Sequence, residues 1–156
     1  MSSHPLKPSA RVRRRVVSTV GDPELERAIA CFAPQVSERS LSELVPSARN
    51  ARTHSKKQIH LIAESIKAFG FVSPILAMAT KDGEIVAGHG RYEAARLLGM
   101  KKVQVIYIDH LGPQQISALR IANNRVAELS GWDNEILKLE LAELIELDFE
   151  IEVTGF

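Results

Sequence analysis

The most informative stretch of the sequence is Ile85-Val86-Ala87-Gly88-His89-Gly90-Arg91-Tyr92-Glu93-Ala94-Ala95-Arg96. Its apolar start predicts a short strand, and the segment from Arg91 to Leu98 predicts a helix that Gly99 ends. Glycines let the backbone approach an anion closely, and the first amides of a helix point toward it. Arg91 in the first turn opposes the helix dipole, a conflict that a bound phosphate would remove. The alternative is a tight strand-to-helix turn with a solvated arginine.

Hydrophobic periodicity predicts further helices and strands on both sides of this turn. The predicted strands are 36–41, 74–78, 85–87, 103–108 and a terminal one over 149–153. The predicted helices are 56–69, 91–98, 113–129 and one that starts at Asp133. Short strands mixed with helices indicate the α+β class, with one small mixed sheet packed with helices.

Two helix starts carry recognisable capping signals. Ser55 and Gln58 predict a capping box for the helix over 56–69, which Gly70 would end. In the last helix, Trp132 is placed to pack onto Leu137 as a hydrophobic staple.

Composition narrows the class of protein. The hydrophobic fraction of 45% and the charged fraction of 25% are typical of a soluble globular protein. No apolar run reaches the roughly 20 residues of a membrane helix, and the basic start lacks the apolar stretch of a secretory signal. The single cysteine, Cys31, cannot form an internal disulfide. We therefore expect a cytoplasmic protein without a membrane partner.

The first 35 residues are predicted to form a basic, largely flexible arm with a short helix after Asp22. No acid precedes Asp22, so the positive charge of the arm is unbalanced. The arginines expected to contact DNA phosphates are Arg11, Arg13, Arg14 and Arg15. The alternative is a solvated tail that aids solubility.

Two linked motifs give the sequence a family resemblance. Residues Gly88 to Ala95 resemble the Gly-Glu-Arg-Arg-x-x-Ala-Ala box of ParB-type partition proteins, and Leu61 to Ile75 resemble the family segment that precedes this box. The similarity covers about residues 38–130. It implies the ParB/sulfiredoxin fold, in the version found in front of phage and mobile-element DNA methyltransferases. The implied organisation is an arm over 1–35, a nucleotide-binding domain over 36–130, and a C-terminal helix with a terminal strand or junction over 131–156.

The resemblance also implies the binding residues. In partition proteins the box holds the triphosphate of CTP with magnesium, so a role in binding CTP or ATP with magnesium carries over to this chain. Gly88 and Arg91 match the family box, whereas His89 and Gly90 replace its glutamate and first arginine. The implied nucleotide-binding residues are Arg52, Gly88, His89, Gly90, Arg91, Asn123 and Asn124.

Three of these residues lie outside the box. Arg52 matches an arginine in the family loop before the first helix. Asn124 matches an asparagine that contacts nucleotide and metal, which makes it the candidate magnesium ligand, while Asn123 replaces a glutamate. For Arg52, the alternative is a capping loop with solvated charges. For Asn123 and Asn124, the alternative is a helix bend or a solvated helix face.

Three functions are compatible with these features. The first is a nucleotide-binding module in DNA partition, modification or mobile-element biology, with a homodimer and a methyltransferase partner or fused domain as candidate assemblies. The second is an enzyme, either a DNA nuclease or a phosphotransferase with slow turnover of nucleoside triphosphate, whose candidate catalytic residues are His89, Glu93 and Glu64. The third is a non-catalytic protein-interaction domain. Sulfiredoxin chemistry is not expected, because His89 stands where the sulfiredoxin motif Gly-Cys-His-Arg has its cysteine.

Overall fold

The computed structural model describes residues 35–156 and Pro23, and this part of the chain contains one four-stranded mixed sheet. The strands are β1 (Val36–Ser40), β2 (Ile75–Met78), β3 (Glu84–Ala87) and β4 (Lys102–Tyr107), in the order β1-β4-β2-β3. β4 pairs antiparallel with β1 and parallel with β2, and β2 pairs antiparallel with β3. The helix predicted after Asp22 and the four arginines of the predicted arm lie outside the described residues.

Within residues 35–156, four α-helices accompany the sheet: α1 (Lys56–Phe69), α2 (His89–Leu97), α3 (Pro113–Leu129) and α4 (Asn134–Glu146). The two central strands β2 and β4 carry the apolar core, since Ile75 and Val105 are fully buried, together with Ile85 and Val86 of β3. None of the helices within residues 35–156 is long and apolar enough to cross a membrane.

The boundaries of α1 follow the predicted cap in part. The Ser55 hydroxyl accepts a hydrogen bond from the Gln58 amide at 3.1 Å, and Gly70 ends the helix with a φ of 79°. The Gln58 side chain was expected to complete a capping box. Its Oε1 instead lies 3.0 Å from Nδ1 of His54, a residue that faces the functional site described below.

The predicted terminal strand is wrong. Residues Ile151–Thr154 form a 3-10 helix, closed by a hydrogen bond from the Gly155 amide to the Glu152 carbonyl at 3.1 Å. This segment packs against α1, and Phe149 stacks on Phe69 with ring centroids 6.0 Å apart. Alternating apolar residues form a strand only when they pair with another strand. The segment Ile151–Thr154 instead packs against α1, away from pairing with the edge strands β1 and β3.

The predicted staple at α4 is also wrong. The Trp132 side chain is 69% exposed, and its ring meets Phe156 edge-on at a centroid distance of 5.2 Å instead of packing on Leu137. Asp133 does cap α4, since its carboxylate accepts from the amides of Glu135 and Ile136. The staple rule considers only residues within and next to the helix, so it could not predict the contact with Phe156 at the end of the chain.

Candidate functional site at the start of helix α2

A small cleft brings together all the residues predicted to bind nucleotide. Its volume is about 120 Å³, and its lining includes Arg52, Gly88, His89, Gly90, Arg91, Asn123 and Asn124. They come from three separate parts of the chain: the loop before α1, the β3–α2 turn, and α3. Asn50 and His54 complete its polar wall.

The cleft lies at the N-terminus of α2, which begins two residues earlier than predicted. Gly88 is the N-cap, with a left-handed φ of 100° that favours glycine. A hydrogen bond from the Tyr92 amide to the Gly88 carbonyl, at 2.9 Å, closes the first turn. The amides of the first residues of a helix have no acceptor within the helix. This turn therefore presents N–H groups and a positive dipole end, as an anion site requires.

Arg91 is partly buried, so it is not the solvated arginine of the alternative interpretation. Its Nη2 donates to the Pro74 carbonyl at 3.1 Å, and its Nε is buried with no hydrogen-bond partner among the described residues. Burial lowers the pKa of the Arg91 guanidinium from its ordinary value. A buried cation with a free donor is unfavourable unless an anion compensates it. This arrangement favours an anion next to Arg91.

His89 is held in a defined protonation state. The Ser47 amide donates to His89 Nε2 at 3.2 Å, so this nitrogen is an acceptor and the proton of the neutral ring lies on Nδ1. Burial, followed by the positive charge of Arg120, lowers the pKa of His89. The neutral ring can donate a hydrogen bond, but its proton-accepting nitrogen is already engaged. This geometry suits ligand binding better than general-base catalysis.

Gly90 lies inside α2, where it allows close contact with α1. A Cβ at this position would lie 3.0 Å from Ile62 Cδ1 and 3.2 Å from His54 Cε1. Gly90 therefore serves the packing of the two helices that flank the cleft.

We expect Gly90→Val to lower the free energy of unfolding by about 1–3 kcal/mol, the usual cost of overpacking a tight contact. The reason is that the added methyl groups would push Ile62 of α1, and His54 in the loop before α1, away from α2. Gly131→Val is the matched control, because a Cβ at Gly131 meets no atom within 4 Å. Urea unfolding measures both variants, and equal stability of the two would show that the contact of α1 with Gly90 is not tight.

Arg52 connects the loop before α1 to α3. Its Nη1 donates to the Asn124 carbonyl at 3.2 Å and to the Glu128 carboxylate at 3.0 Å. Asn50 fixes the loop, since its side chain donates to the Arg52 carbonyl at 2.8 Å and accepts from the Arg52 amide at 3.2 Å. Asn50 thus fixes the backbone of Arg52, and α3 fixes its guanidinium at the wall of the cleft.

A buried ion pair behind the cleft was not found by sequence reasoning. Arg120 is 6% exposed, and its Nη2 lies 3.1 Å from the Glu84 carboxylate, which also accepts from the Ser47 hydroxyl at 2.6 Å. Because Ser47 also holds His89, this network connects α3 and β3 to the cleft. The sequence offers only a weak indication that Arg120 is buried. Arg120 follows Ile116 by four residues and therefore shares its helix face, and these two are the buried residues of α3.

The structure keeps two of the three candidate catalytic residues close together. Of the three, His89 alone lines the cleft, but His89 and Glu93 both line a larger cavity of about 850 Å³. Glu93 pairs with Arg96 at 3.3 Å on the flank of α2, and Glu64 pairs with Lys67 at 2.7 Å on α1. Neither carboxylate is among the residues that line the cleft.

The donor set of the cleft does not fit a metal held by the protein alone. Asn124 was the candidate magnesium ligand; its Nδ2 donates to the Arg120 carbonyl at 2.9 Å, and its amide oxygen is the atom that could coordinate a metal. Among the described residues, no carboxylate lines the cleft, and no three histidine, cysteine or acidic side chains are arranged to hold a metal. Magnesium sites usually use one or two carboxylates together with ligand phosphates.

Comparison with known proteins identifies the family. The ParB N-terminal domain model matches residues 32–125. The ParB-like nuclease domain-containing protein YnaK of Escherichia coli (strain K12) is 49% identical over 77 residues, which are 49% of this chain and 86% of YnaK. The probable chromosome 2-partitioning protein ParB of Deinococcus radiodurans is 35% identical over 136 residues, which are 85% of this chain and 45% of that protein.

A nucleoid occlusion protein of Bacillus licheniformis is 29% identical over 138 residues, which are 84% of this chain and 49% of that protein. The chain thus spans less than half the length of this protein and of the Deinococcus ParB.

A solved structure confirms the fold. The C-terminally truncated chromosome-partitioning protein ParB from Caulobacter crescentus, crystallised with CTP-γ-S, superposes with a TM-score of 0.63 at 21% identity, covering 78% of this chain and 69% of the other. The predicted α+β class with a ParB/sulfiredoxin-like mixed sheet is confirmed. With a family match over most of the described residues and a relative at nearly half identity, the chain belongs to the ParB N-terminal domain family.

Proposed function

We propose that this chain is a nucleotide-binding domain that takes CTP or ATP in the cleft at the start of α2 and acts in DNA partition, modification or mobile-element biology. The observation that carries the proposal is the convergence of seven residues from three chain segments on one polar cleft. Helix N-terminal amides, the guanidiniums of Arg52 and Arg91, and the donor on His89 are the groups that bind phosphate. The Caulobacter ParB crystallised with CTP-γ-S, which favours CTP as the first nucleotide to test.

In this proposal, magnesium binds as a complex with the nucleotide. Two arginines and neutral amides line the cleft, so the phosphate oxygens would supply the negative charge that a divalent cation needs. Asn124 would contribute at most its amide oxygen. Affinity for the nucleotide should therefore rise with magnesium, whereas the protein alone should not retain the metal.

Binding is favoured over catalysis at this site. A nuclease or phosphotransferase needs a base or metal-holding carboxylates near the reacting phosphate. His89 has its acceptor nitrogen engaged by Ser47, and Glu64 and Glu93 are turned toward other partners. We therefore infer a module in which nucleotide occupancy controls assembly, with a homodimer as the assembly to test and a methyltransferase as a candidate partner or fused domain.

The proposal is tested by calorimetric titration of the full chain with CTP, ATP, GTP and UTP, with and without magnesium. We expect saturable binding of at least CTP or ATP. Absence of binding by all four nucleotides at millimolar concentration would contradict the proposal and favour a protein-interaction domain. Analytical ultracentrifugation with and without the bound nucleotide then measures the change in assembly.

The basic arm gives a separate prediction for DNA. Deleting residues 1–18 should weaken binding to random duplexes and flatten its salt dependence, because each lost phosphate contact lowers the log–log slope by about 0.9. Nucleotide affinity should not change, since all the residues implied to bind nucleotide lie between Arg52 and Asn124. Fluorescence anisotropy at several salt concentrations provides the measurement. An unchanged slope would show that the arm is not the DNA contact.

A further inference from the structure

A second cavity, with several charged side chains in its lining, adjoins the proposed nucleotide cleft. It is a groove of about 330 Å³ along α3, and it shares Arg52 and Asn124 with the cleft. Four arginines line the groove: Arg49, Arg52, Arg120 and Arg125. Among the described residues, the only carboxylate in its lining is Glu128, while Glu84 neutralises Arg120 from behind. The groove thus carries an excess of positive charge beside the cleft.

Glu128 makes the contacts that a bound oxyanion would make. One carboxylate oxygen lies 3.0 Å from Arg52 Nη1, and the other lies 3.0 Å from Arg125 Nη1. A phosphate group bridges two guanidiniums in the same way. The Glu128 side chain is 48% exposed and that of Arg52 is 32% exposed, so this ion pair is weak and replaceable.

We infer that the groove is a second anion subsite, which Glu128 occupies until an outer phosphate of the ligand displaces its carboxylate. This inference rests on the proposed nucleotide binding and adds to it the position of the phosphate chain. A cleft of about 120 Å³ holds roughly four water molecules, at about 30 Å³ each, which is the size of a single phosphate group. Further phosphates therefore extend beyond the cleft. A larger cavity shares His54 and His89 with the cleft, but in the described part of the chain one arginine lines it, whereas four arginines line the groove reached past Arg52, which favours the groove for phosphate.

The ligand of the groove is the phosphate chain of a nucleotide rather than a nucleic-acid backbone. The two cavities share two residues, so the phosphates that occupy them must be close neighbours. Adjacent phosphates of a polyphosphate share one bridging oxygen, whereas those of a nucleic acid are separated by a whole sugar. Glu128 then acts as an affinity-determining residue, because it competes with the ligand for Arg52.

The test compares CMP, CTP and inorganic tripolyphosphate by calorimetry on the full chain with two substitutions. Glu128→Gln removes the competing charge and should tighten CTP and tripolyphosphate about threefold to tenfold, the range of one exposed ion pair plus one like charge removed. Arg125→Gln removes a groove cation and should weaken the same two ligands by a similar factor. CMP affinity should change less than twofold in both variants, since its phosphate stays in the cleft.

Glu64→Gln is the matched control, because Glu64 pairs with Lys67 at the same short range on another helix and is absent from the lining of the groove and the cleft. Melting temperatures of all variants establish that they fold.

If CTP binds wild type but neither Glu128→Gln nor Arg125→Gln changes its affinity beyond twofold, the subsite is wrong while the nucleotide function stands. If wild type binds neither CTP nor tripolyphosphate, the proposed function fails and the subsite with it. If Glu128→Gln tightens a short DNA duplex and not CTP, the groove takes nucleic acid and the inference is overturned.

Discussion

Arg91→Ala should weaken nucleotide binding by roughly ten- to a hundredfold, the cost of about 1.5–3 kcal/mol for losing a charge-assisted bidentate contact. Arg91→Lys should recover only part of this loss, because an ammonium cannot reproduce the planar fork of a guanidinium. Calorimetric titration with CTP in magnesium buffer measures both variants. Arg96→Ala is the control on the same helix, since the Arg96 side chain is 59% exposed, contacts Glu93 and the Tyr92 ring, and is not among the residues that line the cleft.

The same substitution should also cost some stability. Arg91 donates to the Pro74 carbonyl, and loss of such a hydrogen bond typically lowers the free energy of unfolding by about 0.5–1.5 kcal/mol. Urea unfolding of Arg91→Ala without nucleotide separates this effect from the loss of affinity. A variant that unfolds more easily but keeps wild-type affinity for nucleotide would show that Arg91 is structural and that the site lies elsewhere.

Arg120→Ala should lower the free energy of unfolding by about 2–4 kcal/mol, or roughly 8–15 °C in melting temperature for a region of this size. The Arg120 side chain is 7% exposed, and its loss leaves the Glu84 carboxylate with the Ser47 hydroxyl at 2.6 Å and the more distant Lys81 ammonium at 3.9 Å. We place the cost below that of a fully buried pair because Glu84 retains 22% exposure. Thermal unfolding followed by circular dichroism provides the measurement.

A double-mutant cycle tests the assignment to the ion pair. Arg120→Met combined with Glu84→Gln should be less destabilised than the sum of the single variants, since neither charge is left alone. Arg125→Ala is the control on α3, because its pair with Glu128 is exposed and should contribute less than about 1 kcal/mol. Additive effects of the Arg120 and Glu84 substitutions would show that the pair has no coupling energy.

The ion pair also predicts how stability depends on pH. The Ser47 hydroxyl, and next to it the charge of Arg120, lower the pKa of Glu84 below its ordinary value of 4.5, against the opposing effect of burial. A lowered carboxyl pKa stabilises the folded state above the ordinary value, and this stability is lost as the pH falls through the folded value. Wild type should therefore lose stability below about pH 4.5, and Ser47→Ala should lose less over the same range. Parallel pH profiles for the two proteins would contradict this attribution.

Local patterns predicted the elements well because the relevant signals lie close together in the sequence. The strand, glycine turn and helix around Gly88 need only local backbone preferences, and the capping Ser55 acts within one helical turn. The resemblance to the ParB box then linked Arg52 and Asn124 to that turn, although they lie far from it in sequence. Gly88, Arg52 and Asn124 all line one cleft.

The contacts that sequence reasoning missed depend on partners brought close only by the fold. A solvated Arg91 was the alternative to an anion site, but its guanidinium reaches the Pro74 carbonyl on a different segment. The Arg120–Glu84 pair joins a helix and a strand 36 residues apart. Its formation could not be inferred from the apolar face of α3, since a buried arginine occupies a position that periodicity assigns to an apolar residue.

An NMR titration of the ¹⁵N-labelled chain with CTP and magnesium shows whether phosphate binds at the N-terminus of α2. We expect saturable shifts of the backbone amides of His89, Gly90 and Arg91, together with the side-chain amides of Asn123 and Asn124. Arg91→Ala should strongly reduce these shifts at a CTP concentration near the wild-type dissociation constant. Shifts confined to other regions, or no shifts at millimolar CTP, would show that phosphate does not bind there.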